Sequence, residues 1–284
     1  MRRTNAELAE LDDAIVTAVG ADAPVSLRGV FYRVVSMGAV DKTENGYEAV
    51  GRELLKLRRD GRVSYWDIVD GTRWTMQPET YNGARDALQR TRDAYRQQLW
   101  ADQDSVVQIY SEKDAITGVV HPVTDSWDVP LGIVRGYASE SFAYRVAYSI
   151  QAAIDNGKSV YVYQLGDHDP SGVNAWETFE TVVMGFLPGP WWKIPVEFQR
   201  IAVTPEQIEE MNLPTRPTKS SDTRAASFEG GSVEVDAIPA PELRRIVEDA
   251  ITQHIDDNAL RLTRIAEQSE REILDNLLMG LAGG

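Results

Sequence analysis

The feature that most constrains this chain is an alternation of strand-like and helix-like segments between residues 106 and 203. Strands joined by whole helices run mainly parallel, because the chain must cross back over the sheet before the next strand begins. The sequence therefore predicts an α/β fold with a mainly parallel sheet and flanking helices. The strand-like runs cover residues 106–110, 129–134, 159–165 and 196–203, with helices beginning near residues 114, 139 and 171.

The first 77 residues predict a different arrangement, in which three helices precede a short hairpin. Ser26 is the expected N-cap of the second helix, and Gly38 is expected to stop it after Met37. Helix, helix, basic helix and hairpin is the order of a winged helix-turn-helix domain, whose last helix enters the DNA major groove. The predicted helices cover residues 5–19, 27–37 and 44–59, and the hairpin covers 62–66 and 68–69, closing at Asp70 and Gly71.

Basic side chains cluster on the third predicted helix and just after it, where they suit contact with DNA phosphates. A solvated helix face would explain the charges equally well, but their place in a helix-turn-helix pattern favours binding to double-stranded DNA. The predicted DNA-binding residues are Arg52, Lys56, Arg58, Arg59 and Arg62.

The net charge of −15 argues at first against a nucleic-acid partner, since phosphates are contacted chiefly by lysine and arginine. The charge is uneven, because residues 1–100 carry 15 basic and 15 acidic residues and the excess of acid lies in residues 101–284. A divalent cation in that second part would offset some of it. Cysteine is absent, which excludes disulfides and thiolate zinc sites.

The pattern divides the chain into three parts. Residues 1–77 form the predicted winged helix-turn-helix domain, residues 78–100 a connecting helix, and residues 101–284 a sheet domain that ends in two helices. No run of about 18 apolar residues is present, and the N-terminus lacks the apolar stretch of a signal peptide. We therefore expect a soluble cytoplasmic protein without a membrane partner.

Three acidic residues are expected at the carboxyl ends of neighbouring parallel strands, where ligands gather in open α/β sheets. Glu112 follows the first strand, and Asp167 and Asp169 follow the third. Alternate residues at a strand end point the same way, and all-oxygen ligation favours Mg²⁺ or Mn²⁺. The competing interpretation is that the two aspartates only cap the next helix; Glu112 at a neighbouring strand end argues for a metal site.

These motifs resemble the Toprim domain, and more specifically the version in the A subunit of topoisomerase VI and its meiotic double-strand-break relative. The acidic motifs that carry the resemblance are Glu112-Lys113-Asp114 and the run from Asp167 to Gly172. Weaker matches lie elsewhere between residues 25 and 240, at Arg135-Gly136-Tyr137 followed by Arg145, at Leu213-Pro214-Thr215, and from Val233 to Ile238.

The resemblance implies that Tyr32, in the run from Ser26 to Arg33, attacks a DNA phosphodiester and forms a 5′-phosphotyrosyl link. It also implies a homodimer, because in that family the tyrosine of one protomer works with the metal site of the other. Strand passage there needs an ATPase subunit, and since this chain has no Walker A pattern, a separate subunit would supply it. A nucleoid-associated location in the cytoplasm follows from the DNA substrate.

Helical phase gives an independent prediction for Tyr32. Arg28 and Tyr32 are one helical turn apart and lie on a different face from the apolar stripe of the same helix. We therefore expect Tyr32 to be exposed beside Arg28, whose guanidinium would stabilise the phenolate and hold the phosphate. The apolar stripe is Leu27, Val30, Phe31 and Val34.

Two other functions stay open. The first keeps the metal site but uses water as the attacking group, as in the hydrolytic Toprim nucleases of plasmid-defence systems. The second is a DNA-binding regulator whose acidic site has no catalytic role. A covalent protein–DNA adduct would indicate attack by Tyr32, and DNA binding unaffected by chelation, without cleavage, would indicate a regulator.

Overall fold

The computed structural model describes residues 4–69, 77–216 and 231–280. Short 3₁₀ turns lie at Tyr65–Asp67, Asp114–Ile116, Trp191–Lys193 and Val235–Ala237. The strands are β1 (Val25–Ser26), β2 (Ile68–Val69), β3 (Ser105–Ser111), β4 (Leu131–Ile133), β5 (Ser159–Leu165) and β6 (Val196–Ala202). The helices are α1 (Asn5–Asp22), α2 (Leu27–Ser36), α3 (Glu44–Arg59), α4 (Ala84–Ala94), α5 (Thr117–Ser126), α6 (Glu140–Asp155), α7 (Pro170–Phe186), α8 (Pro205–Glu210), α9 (Ala240–Thr252) and α10 (Asp257–Gly280).

Four strands form a parallel sheet in the order β4-β3-β5-β6. Strands β3 and β5 are the central pair and align from Ser105 beside Ser159 to Ser111 beside Leu165. The prediction of an α/β fold with a mainly parallel sheet and flanking helices is therefore confirmed. The strand predicted at residues 129–134 is shorter in the structure, at Leu131–Ile133.

The two faces of the sheet are covered by different parts of the chain. Alternate residues point to opposite faces, so Ile109 packs into the larger core while Tyr110 packs into the smaller one. The smaller core is covered by α6 and α7. The larger core is continuous from Leu11 of α1 through Val50 of α3 to Val247 of α9, so the N-terminal helices share it with the sheet.

The N-terminal helices have the predicted order, and α3 has the predicted bounds. Ser26 caps α2 by accepting a hydrogen bond from the Gly29 amide (3.0 Å). Thr43 caps α3 in the same way through the Gly46 amide (3.1 Å). Gly38, with φ of +76°, follows the end of α2 in the left-handed region that favours glycine.

The prediction of a hairpin at residues 62–66 and 68–69 is wrong. Ser64 instead begins the 3₁₀ turn at Tyr65–Asp67 through a capping box with Asp67, which removes residues 64–67 from any strand. Strand β2 then pairs in parallel with β1, Ile68 beside Val25, rather than with the residues just before it. The predicted closing turn at Asp70 and Gly71 lies outside the described residues.

The connecting helix predicted at residues 78–100 is also shorter, because α4 covers only Ala84–Ala94. It packs against α10, where Arg92 makes two hydrogen bonds to Asp275 (2.8 and 3.0 Å). Trp192, in the turn after α7, is among the exposed aromatic side chains. Across the part of the chain that the structure describes, no helix is both long and apolar enough to cross a membrane.

Candidate functional site

Glu112 and the segment containing Asp167 leave the sheet side by side, because β3 and β5 end in register. The Glu112 amide donates to the carbonyl of Leu165 (2.9 Å). Oε2 of Glu112 in turn accepts a hydrogen bond from the Asp167 amide (3.2 Å). The two strand ends are therefore joined through Glu112, at the edge of the sheet where ligands of open α/β folds gather.

A glycine in the first turn of α7 keeps a small space open between the acidic residues. A β-carbon at Gly172 would lie 2.8 Å from the carbonyl oxygen of Asp167 and 2.9 Å from Oε2 of Glu112. It would also lie 3.5 Å from Oδ1 of Asp169. One backbone oxygen (Asp167) and two carboxylate oxygens (Glu112 and Asp169) thus lie within 3.5 Å of the position that a β-carbon would take, so residue 172 must be glycine for them to come together here.

Asp169 also caps α7. Its Oδ1 accepts a hydrogen bond from the Gly172 amide (2.7 Å), and Pro170 occupies the first helical position. A carboxylate here is stabilised by the backbone dipoles of the helix N-terminus. The capping interpretation is therefore correct for this residue, and it accounts for one of the two carboxylate oxygens.

Both carboxylate oxygens of Asp167 have partners other than Glu112. Its Oδ2 lies 2.8 Å from Nζ of Lys113, and its Oδ1 accepts a hydrogen bond from the Val235 amide (2.9 Å). The structure therefore brings the three predicted ligands to one edge without aiming three carboxylates at one point. Within residues 4–69, 77–216 and 231–280, no group of three acidic or histidine side chains has the arrangement of a metal site.

Lys113 lies at the centre of a buried cluster of charges, which we call the lysine cluster: Lys113, Asp167, Glu234 and Asp236. Its Nζ is 2.8 Å from Asp167, 3.1 Å from Glu234 and 3.3 Å from Asp236. Burial alone would lower the pKa of Lys113, but the three carboxylates outweigh it and raise that pKa. The ammonium group is thus a fixed cation that neutralises part of the acidic charge.

Glu234 connects the lysine cluster to α2 and is held ionised. Burial would raise its pKa, but Lys113 and Arg28 together lower it to about 2. Arg28 forms an ion pair with Oε2 of Glu234, and Arg216 pairs with Oε1 (3.1 Å). The 3₁₀ turn that follows is joined to α2 as well, since Ser26 donates to Asp236 (3.1 Å).

Glu112 has the opposite surroundings. Burial raises its pKa, and the charges of Asp167 and Asp169 raise it further. Arg200 of β6 is the nearby cation, but its guanidinium donates to the Asp167 and Val203 carbonyls. Burial lowers the pKa of Arg200 despite the neighbouring carboxylates. Negative charge around Glu112 is therefore less well offset than in the lysine cluster.

The predicted exposure of Tyr32 is wrong, because the side chain is only 3% exposed. Its ring packs against Phe31 with centroids 5.4 Å apart, and Nζ of Lys42 lies 5.1 Å from the ring centroid. The physical reason is the contact between α2 and the turn at Val235–Ala237, which covers the face that helical phase leaves open. Tyr32 and Arg28 do share that face, next to Glu234.

The hydroxyl of Tyr32 is buried and is held in its protonated form. Burial is the main cause of its raised pKa, and the carboxylate of Glu234 raises it further, while Arg216 and Arg28 act in the opposite direction. The hydroxyl has no hydrogen-bond partner of good geometry among the described residues. This arrangement disfavours the phenolate that attack on phosphorus requires.

The predicted DNA-binding residues lie on α3 and just beyond it; four of them are exposed and Arg58 is half-buried, and several are paired with acidic residues. Arg52 is 4.0 Å from Glu48, and Lys56 is 3.1 Å from Asp12. The guanidinium carbon of Arg58 lies 4.3 Å from the ring centroid of Tyr65. Arg59 is exposed, and Arg62 pairs with Asp13 (3.1 Å).

Sequence reasoning gave no role to three residues that shape this site. Lys113 and Glu234 lie inside the motifs that carry the family resemblance, and that was the only signal in the sequence for them. Arg200 lies beside Gln164 in the sheet register, one strand away from Asp167. An arginine near the carboxyl end of a predicted parallel strand was a usable signal.

Neither the models of known protein families nor the curated proteins match this chain. The described residues define an α/β protein with a parallel sheet, a group of acidic residues at the carboxyl edge of its central strands, and a buried lysine cluster beside them. Function must therefore be argued from this edge of the sheet.

Proposed function

We propose that this protein is a metal-dependent enzyme that cleaves DNA, with Glu112, Asp167 and Asp169 holding Mg²⁺ or Mn²⁺. The observation that carries the proposal is the convergence of three oxygen atoms beside Gly172, which are the carbonyl oxygen of Asp167 and one carboxylate oxygen each of Glu112 and Asp169. An all-oxygen donor set suits a hard divalent cation. The raised pKa of Glu112 supports the same proposal, because a bound cation would favour the ionised carboxylate that burial disfavours.

The roles of the neighbouring cations follow from their contacts. A metal ion at this site would offset charge on the phosphate oxygens during cleavage. Lys113 and the Val235 amide hold the Asp167 carboxylate, and Arg200 holds the carbonyl of the same residue. These contacts fix the loop after β5, so that the acidic residues are ordered before DNA binds.

Tyr32 is the attacking group of the first mechanism. Its oxygen would form a bond to phosphorus while its proton passes to a base. The bond from phosphorus to the 3′-oxygen would break, and that oxygen would take up a proton from water and leave as a 3′-hydroxyl. The contact of α2 with Glu234 brings the tyrosine helix to the acidic edge of its own chain. This mechanism within one chain therefore differs from the one that the resemblance implies, in which the tyrosine acts at the metal site of the other protomer. Since Tyr32 is buried, this mechanism requires α2 to separate from the turn at Val235–Ala237.

Water is the attacking group of the second mechanism, which makes the protein a hydrolytic nuclease. The observation that favours it is the burial of Tyr32 together with its raised pKa. Here Tyr32 serves packing, and Arg28 serves to hold Glu234. Both mechanisms use the same acidic residues, and in both we propose the basic side of α3 as the DNA contact.

The test is incubation of the purified protein with supercoiled plasmid and Mg²⁺ or Mn²⁺, followed by denaturing electrophoresis with and without protease. We expect metal-dependent cleavage by the wild type, its loss in Glu112→Gln and Asp169→Asn, and full activity in the control Asp125→Asn. Asp125 is an exposed aspartate in the last turn of α5, where it pairs with Arg96. Cleavage that persists in both site variants would overturn the proposal.

The same gels separate the two mechanisms. Attack by Tyr32 predicts a protein–DNA adduct that protease releases and that Tyr32→Phe abolishes. Hydrolysis predicts free ends that Tyr32→Phe makes as fast as the wild type. DNA binding without cleavage under either metal, unaffected by chelation, would instead identify a regulator.

A further inference from the structure

The C-terminal helix α10 has two faces that differ in their surroundings. One face is buried against the rest of the chain through Thr263 and Leu278, and Asp275 beside it is held by Arg92 of α4. A second face carries large aliphatic side chains that are each between 54% and 58% exposed. These side chains, which we call the α10 stripe, are Leu262, Ile265, Ile273 and Leu277.

The α10 stripe follows one line along the helix surface. Steps of three and four residues keep side chains on one face of a helix with 3.6 residues per turn, and Ser269 fills the remaining position of the line. Single exposed aliphatic residues are common on protein surfaces, but a continuous stripe is not. From Leu262 to Leu277 the stripe extends about 22 Å along the helix, which is long enough for an interaction surface.

The α10 stripe is symmetric about Ser269, which lies at the middle of the helix. Ile265 and Ile273 are each four residues from Ser269, while Leu262 and Leu277 are seven and eight residues away. Two copies of α10 crossing antiparallel at Ser269 would overlap along their full length. Ile265 of one copy would then lie beside Ile273 of the other, and the small serine would allow close approach at the crossing.

The charges beside the α10 stripe favour the same direction of crossing. Arg261 is exposed in the N-terminal half of the helix, and Glu272 is exposed on the same flank in the C-terminal half. An antiparallel pair brings the arginine of one copy towards the glutamate of the other, whereas a parallel pair places like charges together. The surface is therefore complementary to a second copy of itself.

We propose that the α10 stripe is the interface between two copies of this chain, with the two α10 helices antiparallel and the two-fold axis at Ser269. A two-fold axis makes the same patch face itself, which the symmetry of the stripe allows. Closing the interface removes four aliphatic side chains per chain from water. The proposal stands apart from DNA cleavage and is tested without it.

The first test is the molar mass of the protein in solution, measured by light scattering at about 100 μM. The wild type is expected at twice the chain mass of 31.7 kDa, and Ile265→Glu/Ile273→Glu is expected at the mass of one chain. Circular dichroism checks that the variant stays folded, and Leu55→Glu, at an exposed leucine of α3, is the matched control that stays dimeric. A monomeric wild type, or a dimeric double variant, would overturn the proposal.

The second test uses the absence of cysteine from the chain. A disulfide needs α-carbons within about 7 Å, so mild oxidation should cross-link Ser269→Cys into a dimer at the two-fold axis. Ile265→Cys alone should stay uncross-linked, whereas Ile265→Cys/Ile273→Cys should form dimers. Cross-linking of Ile265→Cys by itself would show parallel helices and overturn the proposed geometry, as would failure of Ser269→Cys to cross-link.

Discussion

Two partly buried glutamates, Glu112 and Glu234, flank Asp167 and have opposite surroundings. Glu234 contacts Lys113, Arg28 and Arg216, and the first two of these cations lower its pKa to about 2 although burial acts in the opposite direction. Glu112 contacts the backbone of Asp167, and burial together with the two aspartates raises its pKa. The same residue type is stabilised as an anion in one place and destabilised in the other.

The difference separates a structural cluster from a candidate functional one. Around Glu234 the chain supplies its own cations, so the charges are paired and join α2 to the sheet. Around Glu112 the chain supplies too little positive charge, so the ionised carboxylate is unfavourable there. A bound cation would stabilise this carboxylate, and such a group is a candidate for a functional site. The comparison therefore predicts which substitutions damage the fold and which damage a cation site.

The largest expected effect is that of Lys113→Met, which removes the cation from the lysine cluster. Three carboxylates lose their partner in a buried place, and breaking a buried ion pair from one side costs about 3–5 kcal/mol. Urea unfolding at neutral pH measures the loss. Arg245→Met is the matched control, since the exposed Arg245 pairs with two carboxylates, Glu242 and Asp249, along α9. Equal losses in the two variants would contradict the structural role of Lys113.

The next effect is the pH dependence of Glu234→Gln. The folded pKa of about 2 lies below the ordinary value of 4.5, so the ionised carboxylate stabilises the fold above about pH 4.5, and this contribution is lost as the pH falls towards 2. A depression of that size corresponds to about 3 kcal/mol. The free energies of unfolding of wild type and variant should differ most at pH 7 and converge towards pH 2. A difference that stays constant with pH would refute the assignment.

Gly172→Ala tests the space between the acidic residues directly. Its β-carbon would lie 2.8 Å from the Asp167 carbonyl and 2.9 Å from Glu112, so we expect a loss of about 1–3 kcal/mol and loss of metal-dependent cleavage. Gly185→Ala is the control in the same helix. Its β-carbon would meet nothing within 4 Å, so the substitution should raise the free energy of unfolding by as much as about 1 kcal/mol. Thermal unfolding and the plasmid assay compare the stability and the activity of the two variants. Equal stability and equal activity would contradict the close approach of the acidic residues to Gly172.

The smallest effect on stability, and the most informative in sign, belongs to Glu112→Gln. Because the folded pKa is raised, the ionised carboxylate costs stability at neutral pH, and this cost disappears as the pH falls below the ordinary value of 4.5. The variant should therefore be more stable than the wild type at pH 7 without divalent cations. Added Mg²⁺ should stabilise only the wild type. A variant that is less stable under both conditions would place Glu112 among the structural residues.

Much of the fold could be predicted because its signals are local. The parallel sheet follows from strand–helix alternation, and Thr43 and Ser26 mark the starts of α3 and α2 by caps that use neighbouring residues. The meeting of Glu112 with Asp167 follows from one rule about the ends of parallel strands. These features can be predicted without knowing which distant segments pack against one another.

The failures share a different cause. Helical phase shows which residues share a face, but Tyr32 is buried by a turn that is joined to α2 through Ser26 and Asp236, which are 210 residues apart. The hairpin prediction is wrong for the same reason, since β2 pairs with β1 and not with the residues just before it in the sequence. Contacts between distant segments also explain why the role of Lys113 beside Glu234, 121 residues away, was not foreseen.

The central claim, that the acidic edge binds a divalent cation, is tested most directly by Mn²⁺ titration of the purified chain followed by electron paramagnetic resonance. The wild type and the control Asp125→Asn are predicted to bind one ion per chain at this edge. Glu112→Gln and Gly172→Ala are predicted to lose that ion while staying folded. Unchanged Mn²⁺ binding in both variants, or no binding by the wild type, would contradict the account.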